Sequence, residues 1–426
     1  AQLDSILDAH AIDEVGITLD ASLPSIFYTE GKLGIAKTIL KPLFKHALET
    51  VYRIKLSENA SVDVCKETLS ITRVVLLIKG DFPIAFDMRK KLVQMNVLSV
   101  KDEITFTSLL YTRHPKCPSG WHHRRWCLKR NKRSQDAVLS AAEIETEREL
   151  CRLMAEKHPK NYYAWMHRLW VMNFMSRFQL EDELFFTKTW LQSHVSDHSA
   201  VNHRLQVIRH ILTQPETLVY VLQSDNTPHE SAGEVLWVAF LEQQFKESEE
   251  LIRKRPGHEA LWYLRRSLLE LLYVRVSEVA TISKSLWCES GGQVVSAEFA
   301  SALSLSVQES SAIVSGDVSP STGSASPCQA FAQLSELVSS PHASLPTTAP
   351  PTCAAGWLVS LLAYEMRLAG QCASDTEAWD YAAQRAMATR YAAFLLDRTA
   401  HYIAASSAVG VVQDVPGQSV REVQED

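Results

Sequence analysis

Lys116 has the residue type and the setting of a group that binds phosphate. It stands with Arg113 and His114 in a turn that leads into a predicted helix. A lysine is a compact positive charge, and the free backbone N–H groups at the start of a helix also favour anions. A turn of this kind can hold a diphosphate, but many turns contain a lysine, and the same residues also fit an ordinary solvated turn.

Histidines and cysteines crowd the same stretch and raise the question of a zinc site. The candidates are His114, Cys117, His122, His123 and Cys127. His123 and Cys127 are four residues apart and would share one face of a helix, which is a possible spacing for zinc ligands. However, His167 and His203 stand at the same place in two later segments of similar sequence, and no cysteine follows them in register. We therefore predict no metal site and no cofactor bound by this chain.

Residues 124–133 form a basic stretch. Its cations are Arg124, Arg125, Lys129, Arg130, Lys132 and Arg133. Such a stretch could bind RNA or an acidic partner, but it more often forms a solvated helix end and loop. The net charge of −6 at pH 7 argues against general nucleic-acid binding, so we predict no nucleic-acid ligand.

The elements that must position these residues belong to an internal repeat. In five segments an apolar residue is followed three residues later by arginine, so the two side chains share one face of a helix. The pairs are Phe86 and Arg89, Trp121 and Arg124, Trp165 and Arg168, Val201 and Arg204, and Trp262 and Arg265. Their first residues are separated by 35, 44, 36 and 61 positions. A helical hairpin of the tetratricopeptide type takes about 34 residues, so the long steps suggest hairpins with longer loops.

Each copy has the order expected of a helical hairpin. An apolar helix comes first, and a polar break that contains proline in three copies follows it. Ser119, Asn161 and Ser199 then stand where a capping residue would begin the second helix. We expect the tryptophans to fill grooves between helices and the arginines to donate to nearby carbonyl and carboxylate groups. The pattern predicts an all-α fold, a right-handed α–α superhelix of tandem helical hairpins.

The chain divides into five segments. We predict lead-in helices in residues 1–70, five repeats in 71–275, a Ser-, Ala- and Pro-rich linker or insertion in 277–352, two capping helices in 356–404, and a disordered tail in 405–426. Residues 301–350 contain only three charged side chains and many small ones, which favours disorder in the linker.

Composition favours a protein of the cytoplasm. The 426 residues are 46% hydrophobic and 22% charged, as in ordinary globular chains. No apolar run reaches the roughly 20 residues that span a bilayer, and the N-terminal residues lack a signal-peptide pattern. The eight cysteines form no CxxC pair, which suits a reducing compartment.

The third copy resembles the repeat of protein prenyltransferase alpha subunits. It reads Pro-Lys-Asn-Tyr-x-Ala-Trp-x-His-Arg-x-Trp from Pro159 to Trp170, and residues 123–126 and 202–204 fit the same motif. The resemblance covers about residues 71–275. Residues 194–199 and 256–259 are most similar to a narrower, atypical group of alpha-subunit-repeat-containing proteins.

This resemblance implies a function in protein prenylation. Alpha subunits of the family wrap a beta subunit, an α–α barrel that holds zinc and the isoprenoid. The implied partners are a beta subunit of the Rab geranylgeranyltransferase type, an isoprenoid diphosphate and cysteine-bearing protein substrates. Geranylgeranyl is the expected group, and the chain would not be catalytic alone.

Position in the motif also implies roles for single residues. The resemblance assigns Lys116 to the diphosphate, and it assigns Asn161 and Tyr162 to the face that meets the acceptor peptide. The second copy departs from the family pattern, because Cys117 and Pro118 stand where Asn and Tyr are usual.

Two other classes of function remain open. A non-catalytic helical-repeat scaffold would bind peptide or protein partners and would be a stable monomer. An RNA-binding repeat protein would need repeats of nearly constant length and a basic face. The unequal steps and the net negative charge count against the RNA-binding class.

Overall fold

The computed structural model describes residues 2–20, 22–130, 139–224 and 234–282, together with a few single positions near the C-terminus. These positions are Glu365, Leu368, Met387, Arg390, Tyr391, Phe394 and Leu395. Helices predominate and follow one another as tandem hairpins, so the predicted fold of helical repeats is confirmed, although a small sheet makes it mainly α and not all-α. The chain forms two compact units, one of Ala1–Thr187 with Asp197–Ile211 and one of Lys188–Ser196 with Leu212–Asp426.

The residues before the repeats contain a small sheet as well as helices. Helices α1 (Gln2–Ala9) and α2 (Lys37–Arg53) flank strands β1 (Glu14–Thr18), β2 (Ile26–Thr29) and β3 (Lys32–Ala36). The strand order is β1-β3-β2, with β1 parallel and β2 antiparallel to β3. Phe27 pairs with Gly34, and a Cβ at residue 34 would overlap the Phe27 ring, so this contact requires glycine.

The sequence predicted only helices in residues 1–70 and missed these strands. Each strand has four or five residues, and so short a run does not distinguish the period of a strand from that of a helix. The missed signal was the turn at Glu30 and Gly31. Both have positive φ, 45° and 77°, which suits the two-residue connection of a β-hairpin.

Five hairpins carry the repeat. They are α3 (Val62–Lys79) with α4 (Pro83–Gln94), α5 (Val100–Arg113) with α6 (Pro118–Arg130), α7 (Ala141–Lys157) with α8 (Tyr162–Met172), and α9 (Arg177–Ser193) with α10 (His198–Leu212). After α11 (Pro215–Ser224), the fifth hairpin consists of α12 (Glu234–Lys254) and α13 (Glu259–Ile282). None of the helices in the described ranges combines the length with the apolar character that crossing a bilayer requires.

Two steps between repeats are longer than the others. In the 44-residue step, α6 ends at Arg130 and α7 begins at Ala141, and residues 131–138 between them lie outside the described ranges. The 61-residue step includes α11, so an additional helix, and not only a longer loop, separates the fourth and fifth hairpins. Helix α13 continues to Ile282, which extends the repeat region beyond its predicted end. The rest of the predicted linker and the whole tail lie outside the described residues.

The second helices begin at polar groups that only partly match the predicted caps. Asn161 caps α8 as predicted, because its Oδ1 accepts an N–H of that helix at 3.4 Å. Helix α10 is capped instead by Asp197, which accepts the N–H of Ser199 at 3.1 Å. At α6, the N–H of Ser119 donates to Asp81 of the preceding hairpin at 3.2 Å. A carboxylate accepts a hydrogen bond more strongly than a hydroxyl group does. Asp197 and Asp81 therefore act as acceptors, and Ser199 and Ser119 supply the backbone N–H groups.

Candidate functional site

The apolar anchors of the repeat lie in the core of their units. Phe86, Trp121, Trp165, Val201 and Trp262 each expose 3% or less of their surface. Trp121 donates its indole N–H to the Pro115 carbonyl at 3.0 Å, and Trp165 donates to the Asp197 carboxylate at 3.2 Å. Each indole therefore also fixes a residue in a connection between two helices.

The repeat arginines tie the two helices of each hairpin together. Nη1 donates to a carbonyl 20 residues earlier at 2.6–2.9 Å in Arg124, Arg168, Arg204 and Arg265. In Arg89, Arg124, Arg204 and Arg265, Nη1 also donates to a hydroxyl group 17 residues earlier at 2.9–3.1 Å. The acceptors are, in the same order, Thr72, Thr107, Thr187 and Ser248. The constant offsets place every one of these arginines of a second helix against the first helix of its own hairpin.

A buried glutamate links neighbouring hairpins in the first unit. Glu147 of α7 accepts two hydrogen bonds of 2.7 and 2.8 Å from Arg124 of the preceding hairpin, and one contact of 2.8 Å from His167 of its own hairpin. We call such a set a carboxylate node. The other two nodes are Glu103 with Arg89 and His123, and Glu183 with Arg168 and His203. In all three nodes the histidine follows the glutamate by 20 residues.

The node carboxylates are held in the ionised form. Burial alone would raise the pKa of Glu103, but the Arg89 charge and the hydrogen bonds from His123 and Arg89 hold that pKa at about 2. The same opposition between burial and the arginine and histidine partners holds the pKa of Glu147 at about 2 and lowers that of Glu183.

Two of the node histidines, His167 and His203, are neutral and donate from Nε2. Burial lowers the pKa of His167 and His203, although the glutamate partners act in the opposite direction. In all three node histidines Nδ1 is buried and has no hydrogen-bond partner in the described part of the protein. Protonation would place an N–H there without an acceptor, which is costly in a buried site. In a neutral ring Nδ1 carries only a lone pair, so no N–H donor is left without an acceptor.

A similar set closes the second unit. Arg265 of α13 donates from Nε and Nη2 to Glu365, both at 2.5 Å, and the Tyr391 hydroxyl donates to the same carboxylate at 2.6 Å. Tyr391 thus takes the place that histidine has in the nodes of the first unit. Within the predicted capping segment 356–404, Glu365 accepts from the last repeat arginine, and Tyr391 is a second donor to that carboxylate.

Three possible zinc ligands lie together at the first node. The ligand atoms of Glu103, His123 and Cys127 lie within 4.8 Å of one another. Arg89 already occupies the carboxylate, and burial together with the Glu103 charge raises the pKa of Cys127 to about 12, which keeps its thiol protonated. A metal ion at this group would have to displace Arg89 and remove the proton of the Cys127 thiol, and the absence of a metal site stays a prediction.

Lys116 lies at a basic cleft between three loops. The cleft has a volume of about 530 Å³ and is lined by residues from the connections of the first three hairpins, namely Lys79, Asp81, Arg113, His114, Pro115, Lys116, Cys117, Lys157, His158 and Pro159. Lys116 itself is exposed. The structure therefore brings Lys116 together with Arg113 and His114, as the turn suggested, and adds Lys79 and Lys157.

The only carboxylate in this lining is already engaged. Asp81 accepts the Ser119 N–H and also lies 3.9 Å from the Cys117 sulfur. Within the described ranges, no acidic group lies at ion-pair distance from Lys79, Lys116 or Lys157. The cleft thus presents cations with little internal compensation, an arrangement that attracts anions.

The histidines of the cleft are neutral at pH 7. Burial, followed by the charges of Lys116 and Lys157, lowers the pKa of His158. Burial also lowers the pKa of His114, whose Nε2 lies 3.0 Å from the Leu77 carbonyl. The positive charge of the cleft at this pH therefore comes from lysine and arginine.

Asn161 and Tyr162 have different surroundings. Tyr162 is exposed. Asn161 is completely buried, and its Nδ2 donates to the Pro115 carbonyl at 3.0 Å. The predicted contact of Asn161 with an acceptor peptide is therefore not supported, because its amide holds two loops together and has no surface to offer.

The basic stretch 124–133 is divided between the core and the surface. Arg124 is part of a node, whereas Lys129 lies over the Trp170 ring at 5.9 Å and Arg130 over the Trp126 ring at 5.8 Å. Lys132 and Arg133 lie outside the described residues.

The sequence did not identify the node glutamates or the two additional lysines. The glutamates could have been found from their constant spacing of 20 residues before each histidine. Lys79 and Lys157 each end a first helix just before a break, in the same part of the hairpin as Arg113.

Comparisons with known proteins point to one family. The protein prenyltransferase alpha subunit repeat matches residues 100–131, 144–175 and 180–211, which are the second, third and fourth hairpins. Protein prenyltransferase alpha subunit repeat-containing protein 1-B of Xenopus laevis is 30% identical over 309 residues, covering 62% of this chain and 69% of the relative. The similarly named proteins 1 of Danio rerio and Homo sapiens are 30% and 29% identical over 301 residues, covering 61% of this chain in each case and 68% and 73% of the relatives.

The fold and the site define a class of protein: tandem helical hairpins joined by buried carboxylate nodes, with a cationic cleft formed by their loops. Together with the repeat matches and the relatives, they show that the chain belongs to the protein prenyltransferase alpha subunit repeat-containing family.

Proposed function

We propose that this chain acts as the alpha subunit of a heterodimeric protein prenyltransferase. Its beta partner is of the Rab geranylgeranyltransferase type and the transferred group is geranylgeranyl. The observation that carries the proposal is the exposed Lys116 at the basic cleft, in the second repeat, where the family resemblance places a lysine that meets the diphosphate.

The division of labour follows from the residues of this chain. Zinc on the beta subunit would hold the substrate cysteine as a thiolate, the form that attacks. Lys116 would stabilise the negative charge that develops on the diphosphate leaving group, and this effect is strongest where water is excluded by the partner. Tyr162 offers an exposed aromatic side chain beside the same loops for contact with the acceptor protein. The chain is not catalytic alone.

Free, buried cysteines support a reducing compartment. Cys65, Cys117, Cys127 and Cys151 are buried and unpaired with one another. We therefore place the proposed heterodimer in the cytoplasm.

A non-catalytic scaffold is the second candidate, and the nodes favour it. The motif residues Trp165, His167 and Arg168 are buried in structural contacts, so the motif would be equally useful in a repeat protein without an enzyme partner. The names of the relatives describe the repeat and no reaction.

Co-expression with a Rab-type beta subunit separates the two functions. The enzyme proposal predicts a 1:1 complex on size exclusion that transfers labelled geranylgeranyl to a cysteine-bearing protein. A chain that stays monomeric in the presence of prenyltransferase beta subunits, while it remains folded by circular dichroism, would contradict the proposal and leave the scaffold.

A further inference from the structure

We propose that the basic cleft takes a ligand with two adjacent phosphoryl groups, and that Lys79 and Lys157 contact it together with Lys116. The inference rests on the proposed function for the class of ligand, a diphosphate. It extends that function in two respects, because it adds two lysines from other hairpins and requires no partner subunit for binding.

The loops of the cleft are tied to one another before any ligand binds. Arg113 Nε donates to the carbonyl of Leu77 at 2.9 Å, which joins the second loop to the end of α3. The Pro115 carbonyl accepts from Asn161 of the third loop and from Trp121, both at 3.0 Å. Because these part-buried hydrogen bonds already join the loops, the three lysines project from a frame that needs little ordering on binding.

The charge of the cleft calls for an anion with more than one phosphoryl group. Four permanent cations, those of Lys79, Arg113, Lys116 and Lys157, surround one carboxylate that is already bonded. The charges of Lys116 and Lys157 both reach the His158 ring, where they lower its pKa after the larger effect of burial. Like charges at such proximity repel each other, and an anion between them relieves the repulsion. A diphosphate carries more negative charge and more acceptor oxygens than a single phosphate, so it can pair with more of the lysines that line the cleft.

Calorimetric titration of the full chain with inorganic pyrophosphate and with inorganic phosphate, at equal ionic strength, tests the inference. We expect pyrophosphate to bind at least about tenfold more tightly than phosphate. Lys79→Gln and Lys157→Gln should each weaken pyrophosphate binding by about 3- to 10-fold, since each removes one charge contact. Lys101→Gln is the matched control, an exposed lysine in the first turn of α5 that does not line the cleft, and it should leave the affinity within about twofold.

Equal affinity for the two anions would overturn the inference, and so would affinities for pyrophosphate that are unchanged in both cleft variants. Thermal melts of each variant show whether it is folded, so that weaker pyrophosphate binding can be distinguished from unfolding. Pyrophosphate binding by a chain that joins no beta subunit would sustain this inference and defeat the proposed heterodimer. A working heterodimer whose transfer rate is unchanged by Lys79→Gln and Lys157→Gln would support the proposed function and contradict this inference.

Discussion

At the scale of the residue, buried charge has a structural function in this protein. Arg124 and Glu147 are nearly inaccessible, yet each satisfies the other with two hydrogen bonds, and His167 supplies a third to the carboxylate. A buried ion pair of this kind is strongly destabilised when one partner is removed, because the other charge remains in the core without compensation. The motif arginine therefore depends on a glutamate that the motif itself does not contain.

Glu147→Gln should destabilise the protein by about 3–5 kcal/mol, because it leaves the Arg124 guanidinium buried and unpaired. Urea unfolding followed by circular dichroism measures the change. Glu156→Gln is the control in the same helix, since Glu156 pairs with Arg152 at the exposed surface, and it should cost less than about 0.5 kcal/mol. Equal losses in the two variants would show that the node has no special importance.

Trp165→Ala should cost about 3–5 kcal/mol, as expected for a large-to-small change in a core. Trp165→Phe retains an aromatic ring but loses the hydrogen bond to Asp197, and it should cost about 1–2 kcal/mol. Differential scanning calorimetry of the two variants gives the comparison. A wild-type melting temperature in Trp165→Ala would contradict the core assignment of this tryptophan.

At the scale of the element, the nodes explain why the hairpins stack in a defined register. Glu103, Glu147 and Glu183 each stand on a first helix and bind the second helices before and after it. A shift of one hairpin by a single residue would separate all three members of a node. Such a shift would leave a buried charge unpaired, which is costly. The nodes therefore determine which hairpins pack against each other and in which register, and they also stabilise that packing.

The repeat arginines and tryptophans could be predicted from the sequence because their types and spacing recur. Other elements could not be, for identifiable reasons. The strands around Phe27 and Gly34 are too short for a period to show, and α11 interrupts the repeat without carrying its motif. The basic cleft joins Lys79 and Lys157 across a long sequence separation, and only the packing of the hairpins brings them together.

Glu365→Gln should destabilise the second unit by about 3–5 kcal/mol, since the buried Arg265 guanidinium loses its two short carboxylate contacts and keeps only the 3.8 Å pair with Glu249. Tyr391→Phe removes a single hydrogen bond and should cost about 1 kcal/mol. Limited proteolysis and urea unfolding report the loss. Glu259→Gln, which affects an exposed pair with Arg390, serves as the control. Wild-type stability in Glu365→Gln would mean that the segment around residue 365 is not integrated with the last repeat.

At the scale of the whole molecule, the nodes should make stability depend on pH in one direction. The folded pKa of His167 and His203 is lowered, so the unfolded chain binds these protons first and stability begins to fall below about pH 6.5. The node carboxylates have a lowered folded pKa, about 2 for Glu103 and Glu147, against 4.5 as the ordinary value. Their contribution is therefore complete above about pH 4.5 and is lost as the pH falls towards 2.

Melting temperatures between pH 7 and pH 3 should accordingly decrease continuously as the pH is lowered. The melting temperature of Glu147→Gln should decrease less steeply between pH 5 and pH 3 than that of the wild-type protein, because the variant lacks one of the carboxylates whose pKa is lowered by folding. Parallel curves for the variant and the wild-type protein would contradict the assignment of this pH dependence to the nodes.

In the proposed heterodimer, Lys116 at the basic cleft contacts the diphosphate during transfer. The decisive measurement is the rate of labelled geranylgeranyl transfer by the complex of this chain with a Rab-type beta subunit, compared between Lys116→Ala and Lys101→Ala. We expect a fall in kcat on the order of 100-fold for Lys116→Ala, with the complex intact, and an unchanged rate for Lys101→Ala. Equal transfer rates in the two variants would contradict it.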